Sequence, residues 1–283
     1  MSIIKTREFP DYEFESFKEL HQALKANKAR LLNLKKATVK RTDAVDYRDL
    51  DTKIKVSKGI EIPGLKQDYV YPVINTTNYM DSHNDVHLNG IWNKSKKEQQ
   101  GKILYIVNHD LSIGSEIAYP EDVKMMLSHF SFKELGYQSE KSTQALMFKV
   151  KKDKILHERA KDRIEKQIPS QHSVRMMYVK VDLAMKTDDP DLHAERELYE
   201  MHIDKIANPE RVEESEFFWA VGEAKIIREG SMVVDGSNDV TPMILPKTIE
   251  PILNTLETEP SKDTRQDKET PDVSILNNLK FLK

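Results

Sequence analysis

A histidine in GKILYIVNHD and a serine in QHSVRMMYVKVDLAM are the side chains that could do covalent chemistry together. His109 follows a short apolar run, Ile103 to Val107, at the point where a strand would give out into a polar turn. A strand end offers rigid support and an open edge, which suits a general base, although a lone histidine there more often only caps a strand. Ser173 stands near the head of a long alternation. If residues 171–185 form a strand, His172, Val174, Met176 and Tyr178 face one side and Ser173, Arg175, Met177 and Val179 the other. His172 is then a poor base for its own neighbour, and His109, from another strand, is the better one. A serine hydroxyl is a weak nucleophile near neutral pH and needs such an imidazole within hydrogen-bond reach. The third member would be a carboxylate that orients the imidazole, and WAVGEAKIIREGSMVV supplies two, Glu223 and Glu229. Sequence order alone does not choose between them.

A competing constellation is DSHNDVH. In a strand Asp81, His83, Asp85 and His87 would share one face, a geometry compatible with a divalent metal. The neighbouring Asn75, Asn78, Asn84 and Gly90 argue for a loop instead, in which these residues bond to backbone groups and to one another. No metal and no cofactor is expected.

Positioning these groups requires strands held by helices. Phe14, Phe17, Leu20, Leu24, Leu31 and Leu34 recur mostly every three or four residues, which predicts an amphipathic helix over residues 14–36. Residues 38–73 are broken by Gly59, Pro63, Gly64 and Pro72 into short strands and turns. Strands are predicted at residues 102–108, 145–150, 173–185, 217–227 and 230–234, and helices at 121–130, 155–167 and 192–206. From Met243 onward proline, threonine and charge displace apolar periodicity, which predicts a flexible tail.

Composition bounds what the chain can do. It has 283 residues and no cysteine, so disulfides, thiolate metal sites and cysteine nucleophiles are excluded. Against 44 basic residues stand 47 acidic ones, which gives no argument for nucleic-acid binding. No apolar run approaches the roughly 20 residues that span a bilayer, and MSIIKTREFPDYEF lacks the basic-then-apolar order of a signal peptide, so neither membrane nor export is expected.

Four segments in order, INTTNYMDSHNDVHLNGIWNKS, VNHD, QHSVRMMYVKVDLAM and WAVGEAKIIREGSMVVDGSNDVTP, resemble the prohead maturation serine proteases of tailed bacteriophages. That family is similar in fold to the herpesvirus assemblins. The resemblance runs over residues 38–242, with Asp81, Asp85 and Gly90-Ile91-Trp92 as counterparts of the family's acidic leading segment and the turn after it. It implies Ser173 as nucleophile, His109 as base and Glu229 as third member, because REGSMVV resembles the family's glutamate strand. Glu223 and His202 are the alternatives; His202 lies in a helical stretch, residues 187–215, where assemblins use a second histidine. After the serine stands Val174-Arg175, where the family more usually has Ile-Gly. The turn Gly236, Ser237, Asn238 is the implied source of oxyanion donors. The implied fold is α+β, a mainly antiparallel β-barrel-like core flanked by helices. Its parts are an N-terminal helical segment (1–37), a protease domain (38–242) and a flexible C-terminal tail (243–283). The implied function is an endopeptidase that cleaves scaffold and major-capsid-protein precursors, and itself, within an assembling procapsid in the host cytoplasm, where copies associate. The other expectation is a scaffolding or capsid-assembly protein of the same fold without activity.

Overall fold

The computed structural model describes residues 3–40, 60–62 and 65–246. The chain opens with a small antiparallel pair, β1 (Ile4–Thr6) and β2 (Phe9–Phe14). Ser16 then caps helix α1 (Phe17–Ala37): its hydroxyl accepts the Glu19 N–H, while the Glu19 carboxylate reaches back to the Glu15 N–H, satisfying amide donors that the first turn leaves open. Leu20, Leu24 and Leu31 form its buried stripe, which packs against β10 (Gln171–Met185). Of the short strands expected between residues 38 and 73, the described ones are β3 (Ile60–Ile62) and the first part of β4 (Tyr69–Thr76); the others lie outside the described residues.

Two open sheets carry the rest. One runs β10, β11 (Phe217–Val233), β6 (Leu104–Val107), β7 (Glu116–Ala118), with β5 (Asp85–His87) also on β11. The other runs β3, β12 (Met243–Pro246), β4, β9 (Ser142–Lys151), β8 (Lys124–Ser131). Pairing is mostly antiparallel, but β5 and β6 lie parallel to β11, one after the other along the same edge of it, and β12 lies parallel to β3. Val70, Ile74, Leu146 and Phe148 of the second sheet meet Val174, Met176, Ile226 and Met232 of the first in one apolar core. Around it lie α2 (Asn93–Gln99), α3 (Glu158–Glu165), α4 (His193–Ile203) and α5 (Pro209–Ser215). Among the described residues no helix is long and apolar enough to cross a membrane.

The fold is thus a mixture of helices and mainly antiparallel sheets, and the barrel-like core expected from the sequence is not formed: neither sheet closes on itself. Three local expectations also change. Residues 121–130 are not a helix; a turn of 3-10 helix at Pro120–Asp122 leads into β8, which pairs with β9 along its length. The buried Val123 and Met125, followed by the half-buried Leu127, alternate with period two, and this pairing outweighs the helix propensity of Met and Leu. The separate strands expected at 217–227 and 230–234 are one strand, irregular at Arg228 (φ 71°). Residues 243–246 belong to no tail: as β12 they are buried and pair with Tyr71 and Pro72, and the remainder of the expected tail lies outside the described residues.

Gly230 shows how tightly the two sheets meet. A methyl on its Cα would stand 2.6 Å from Cε2 of Phe148 and 3.1 Å from Cγ2 of Ile74, closer than packing allows. Gly230→Ala is therefore expected to lower the melting temperature by roughly 3–10 °C through overpacking, measured by calorimetry; an unchanged midpoint would show that the sheets can part without cost.

Candidate active site

The strand order brings the end of β6 onto β11 opposite the start of β10. Ser173 pairs directly with Ser231, and Ser231 in turn lies beside Ile106. Along β10 the alternation read from the sequence is the one observed: His172, Val174, Met176 and Tyr178 are buried, while Ser173, Arg175 and Met177 are half-buried and Val179 is exposed. Directly paired residues of an antiparallel ladder share a face. Ser173, Arg175 and Ser231 therefore lie on the face of the sheet away from the Val174–Gly230 core contact.

Glu229 reaches that face through a β-bulge. Between Val174, opposite Gly230, and Met176, opposite Ile226, the register shifts so that β11 spends two residues more than β10. Such irregularities re-aim side chains, and here Glu229 is turned inward to complete burial.

His109 sits just past β6 in a turn closed by the Asp110 N–H donating to the Val107 carbonyl at 3.0 Å. Both central residues are left-handed, Asn108 with φ 52° and His109 with φ 55°. Asn and His tolerate this conformation better than most residues, yet each such residue holds strain of up to roughly 1–3 kcal/mol unless the surroundings fix it. The surroundings do so. The Asn108 N–H donates to the Met232 carbonyl at 2.9 Å, and the His109 N–H to Oγ of Ser231 at 2.8 Å. Ser231, fully buried, donates its own hydroxyl hydrogen bond to the Ile106 carbonyl at 3.2 Å.

The imidazole then meets the carboxylate: Nδ1 of His109 and Oε1 of Glu229 are 2.8 Å apart, both side chains nearly sealed from solvent. Nε of Arg175 donates to the same oxygen at 3.1 Å, and Nη2 of Arg175 to the His109 carbonyl at 2.8 Å. A carboxylate only accepts, so Nδ1 carries a proton, and in the neutral imidazole Nε2 is then the acceptor. That Nε2 is buried and has no hydrogen-bond partner among the described residues. His109 and Ser173 are thus on one face but not hydrogen-bonded to each other, and the contact expected between them is not made in this structure.

The alternative third members stand elsewhere. Glu223 faces Lys180 across the ladder and pairs with Nζ of Lys94 at 3.3 Å and Nζ of Lys180 at 3.8 Å. His202 belongs to α4, whose neighbouring residues pack with Ala184 and Phe218 at the opposite end of the β10–β11 ladder from Ser173. His172 faces the core, donates through Nδ1 to the Thr241 carbonyl at 2.9 Å, and is pushed down to about 4 by burial, so it stays neutral at neutral pH.

No family model, curated protein or solved structure matches the chain. What the site can do is therefore read from its own groups.

Ser173 also borders a small cleft lined by Asp81, His83, His87, Ser237 and Asn238. The first three belong to the constellation considered above as metal ligands. Their atoms are committed otherwise: Oδ1 of Asp81 accepts the His83 and Asp85 N–H groups at 2.8 and 3.0 Å, and Asp85 accepts from Nζ of Lys35 and from the Tyr178 hydroxyl. His87 stands 3.1 Å from Oδ1 of Asn75 and 3.3 Å from the Tyr178 hydroxyl. Burial works to raise the Asp81 carboxyl, but its bonds with His83 and the Asp85 amide hold it below the usual range; burial lowers His87 and keeps its imidazole neutral. Among the described residues no three acidic or histidine side chains converge as a ligand set. The Nδ1 of His83 stands 3.8 Å from Oδ2 of Asp81, a longer contact than the 2.8 Å between His109 and Glu229.

In the expected oxyanion turn, one of the backbone donors is already engaged. Gly236 donates its N–H to Oε1 of Gln171, and the Asn238 amide bridges the hydroxyl and carbonyl of Thr76 at 3.1 and 3.2 Å. Gly236 has no left-handed backbone; a Cβ there would stand 3.2 Å from Oε1 of Gln171, so the Gln171 side chain would have to yield slightly. Two supporting residues were not assigned roles from the sequence, Arg175 and Ser231. Period two marked both, since Arg175 follows Ser173 and Ser231 follows Glu229 by two.

Proposed function

We propose that the chain is a serine endopeptidase of the prohead maturation type, acting on scaffold and capsid-protein precursors. The observation that carries this is the sealed His109–Glu229 pair, whose Nε2 has no hydrogen-bond partner among the described residues and whose backbone is held by Ser231, the residue paired with Ser173. Ser173 Oγ attacks the scissile carbonyl carbon and its proton passes to Nε2 of His109, while Glu229 stabilises the imidazolium. The tetrahedral intermediate collapses, the C–N bond breaks and His109 returns the proton to the leaving amine. Water then repeats the sequence on the acyl-enzyme. Catalytic hydrogen bonds are often long or absent without substrate and tighten on binding, which is how the open Ser173–His109 contact enters the mechanism.

That same open contact favours a second reading, a capsid-assembly or scaffolding protein in which the serine is idle. Co-expression with the capsid-protein precursor from the same genome, followed by intact-mass measurement, separates the two: new termini are expected with the wild type. The precursor left whole would remove the protease reading. Cleavage is expected to persist in EDTA, because the oxygens and nitrogens of Asp81, Asp85 and His87 are held by hydrogen bonds; loss in EDTA with recovery on adding a divalent ion would move the chemistry to that cluster.

A further inference from the structure

We infer that Arg175 is a positioning residue that locks the His109 turn and the Glu229 carboxylate into one unit; this rests on the serine-protease reading above. One guanidinium makes two bonds in different directions, Nε to Oε1 of Glu229 at 3.1 Å and Nη2 to the His109 carbonyl at 2.8 Å. The oxygen it takes on Glu229 is the one that also meets Nδ1 of His109. The imidazole is therefore tied at its ring through the carboxylate and at its backbone directly, by the same side chain. Its N–H is held by Ser231, so the left-handed His109 peptide is clamped on both sides, from β11 and from β10. Removal of either hold would let the turn relax toward ordinary backbone angles and carry Nε2 away from the Ser173 face.

The chemistry explains why this is an arginine. A second cation on the carboxylate oxygen weakens that oxygen's hold on an imidazolium, so a charge alone works against catalysis here. The value of the group is geometric. A planar guanidinium presents several N–H donors in fixed directions from one short reach, whereas an ammonium is a single point on a flexible stem and does not span a carboxylate and a carbonyl with the same rigidity. The position two residues past the serine, on the same face of the same strand, couples the nucleophile's strand to the imidazole's turn.

The test compares wild type with Arg175→Lys, Arg175→Gln and Arg175→Ala. Labelling of Ser173 by a fluorophosphonate probe reads the nucleophile without need of the natural substrate, and the proton resonance of His109 Nδ1–H, assigned by its loss in His109→Gln, reads the hydrogen bond to Glu229. Both Arg175→Lys and Arg175→Gln are expected to lower the maximal labelling rate by about 10²-fold, the cost of a displacement of about 1 Å, with the half-saturating probe concentration unchanged. The resonance should move or broaden in both, and guanidinium ion added to Arg175→Ala should restore part of the rate. A wild-type labelling rate and an unmoved resonance in Arg175→Lys would overturn the inference, as would a loss of labelling that tracks melting temperature and is indifferent to guanidinium. If the wild type itself is not labelled, the protease reading fails, and the resonance still decides whether Arg175 positions His109.

Discussion

Ser173→Ala is expected to abolish cleavage of a capsid-protein precursor, with turnover falling by about 10⁶-fold, while the protein melts within a degree or two of the wild type. The two halves of that expectation have separate grounds. Loss of activity follows because, in the proposed mechanism, the hydroxyl oxygen bonds to the substrate carbon, and nothing else on the face formed by Ser173, Arg175, Glu229 and Ser231 is a comparable nucleophile: Ser231 is fully buried and hydrogen-bonded to the backbone on both sides. Retained stability follows because Ser173 is only half-buried and its strand is held by neighbours, Val174 and Met176, that point into the core. Precursor cleavage is followed by gel and mass spectrometry alongside a thermal melt. Undiminished cleavage in the mutant would end the serine mechanism; a collapse of the melt would make the activity result uninformative, and the fluorophosphonate labelling site would then have to locate the nucleophile.

The second large effect is expected at Glu229. In Glu229→Gln the shape is nearly kept but the acceptor is not. Two donors, Nδ1–H of His109 and Nε–H of Arg175, converge on one carboxylate oxygen, and an amide placed there either keeps that oxygen and loses the charge or turns its NH₂ toward two other donors. The imidazole then has reason to move its proton to Nε2, the tautomer that cannot accept from the serine, and turnover is expected to fall by about 10⁴-fold. Stability should fall too, because the mostly buried Arg175 guanidinium loses its counter-charge, a loss that reaches about 3–5 kcal/mol when a pair is fully buried. Glu223→Gln serves as the control. Its partners Lys94 and Lys180 are largely exposed, and pairs of that kind contribute about 0–1 kcal/mol, so turnover should stay within a small factor of wild type. If instead Glu223→Gln abolishes precursor cleavage and Glu229→Gln does not, the acid has been assigned to the wrong glutamate.

How far the site could be read from the sequence depended on the range of the interaction involved. The facing of Ser173 away from His172 was legible because strand alternation is local, and HSVRMMY carries it without ambiguity. The turn at VNHD was legible for the same reason, Asn being a residue that accepts left-handed backbone. What joined them was not. That β6 lies parallel to β11, so that the turn beyond it folds back to bring His109 to Glu229, joins residues about 120 positions apart, and no local propensity encodes it. Nor did REGSMVV reveal that Arg228 would adopt a positive φ and that the resulting bulge would turn a charged side chain inward. Residues 121–130 and 243–246 were misread for a related cause. Each is short and of mixed propensity, and each becomes a strand because a neighbour, β9 in one case and β4 with β3 in the other, offers it an unpaired edge.

Lys35 bears on where the molecule can be divided. By sequence the first 37 residues read as an N-terminal helical segment ahead of the domain. In the structure the ammonium near the end of α1 reaches Oδ1 of Asp85 and lies 5.0 Å above the ring of Trp219, while Asp85 is almost wholly buried and also holds the Tyr178 hydroxyl at 2.7 Å. Without the helix, Asp85 would lose the ammonium that meets it directly, and an almost wholly buried carboxylate without its close partner is costly. Helix and sheet are therefore expected to melt together, because α1 shares its apolar core and its Lys35–Asp85 pair with the sheet that carries β10.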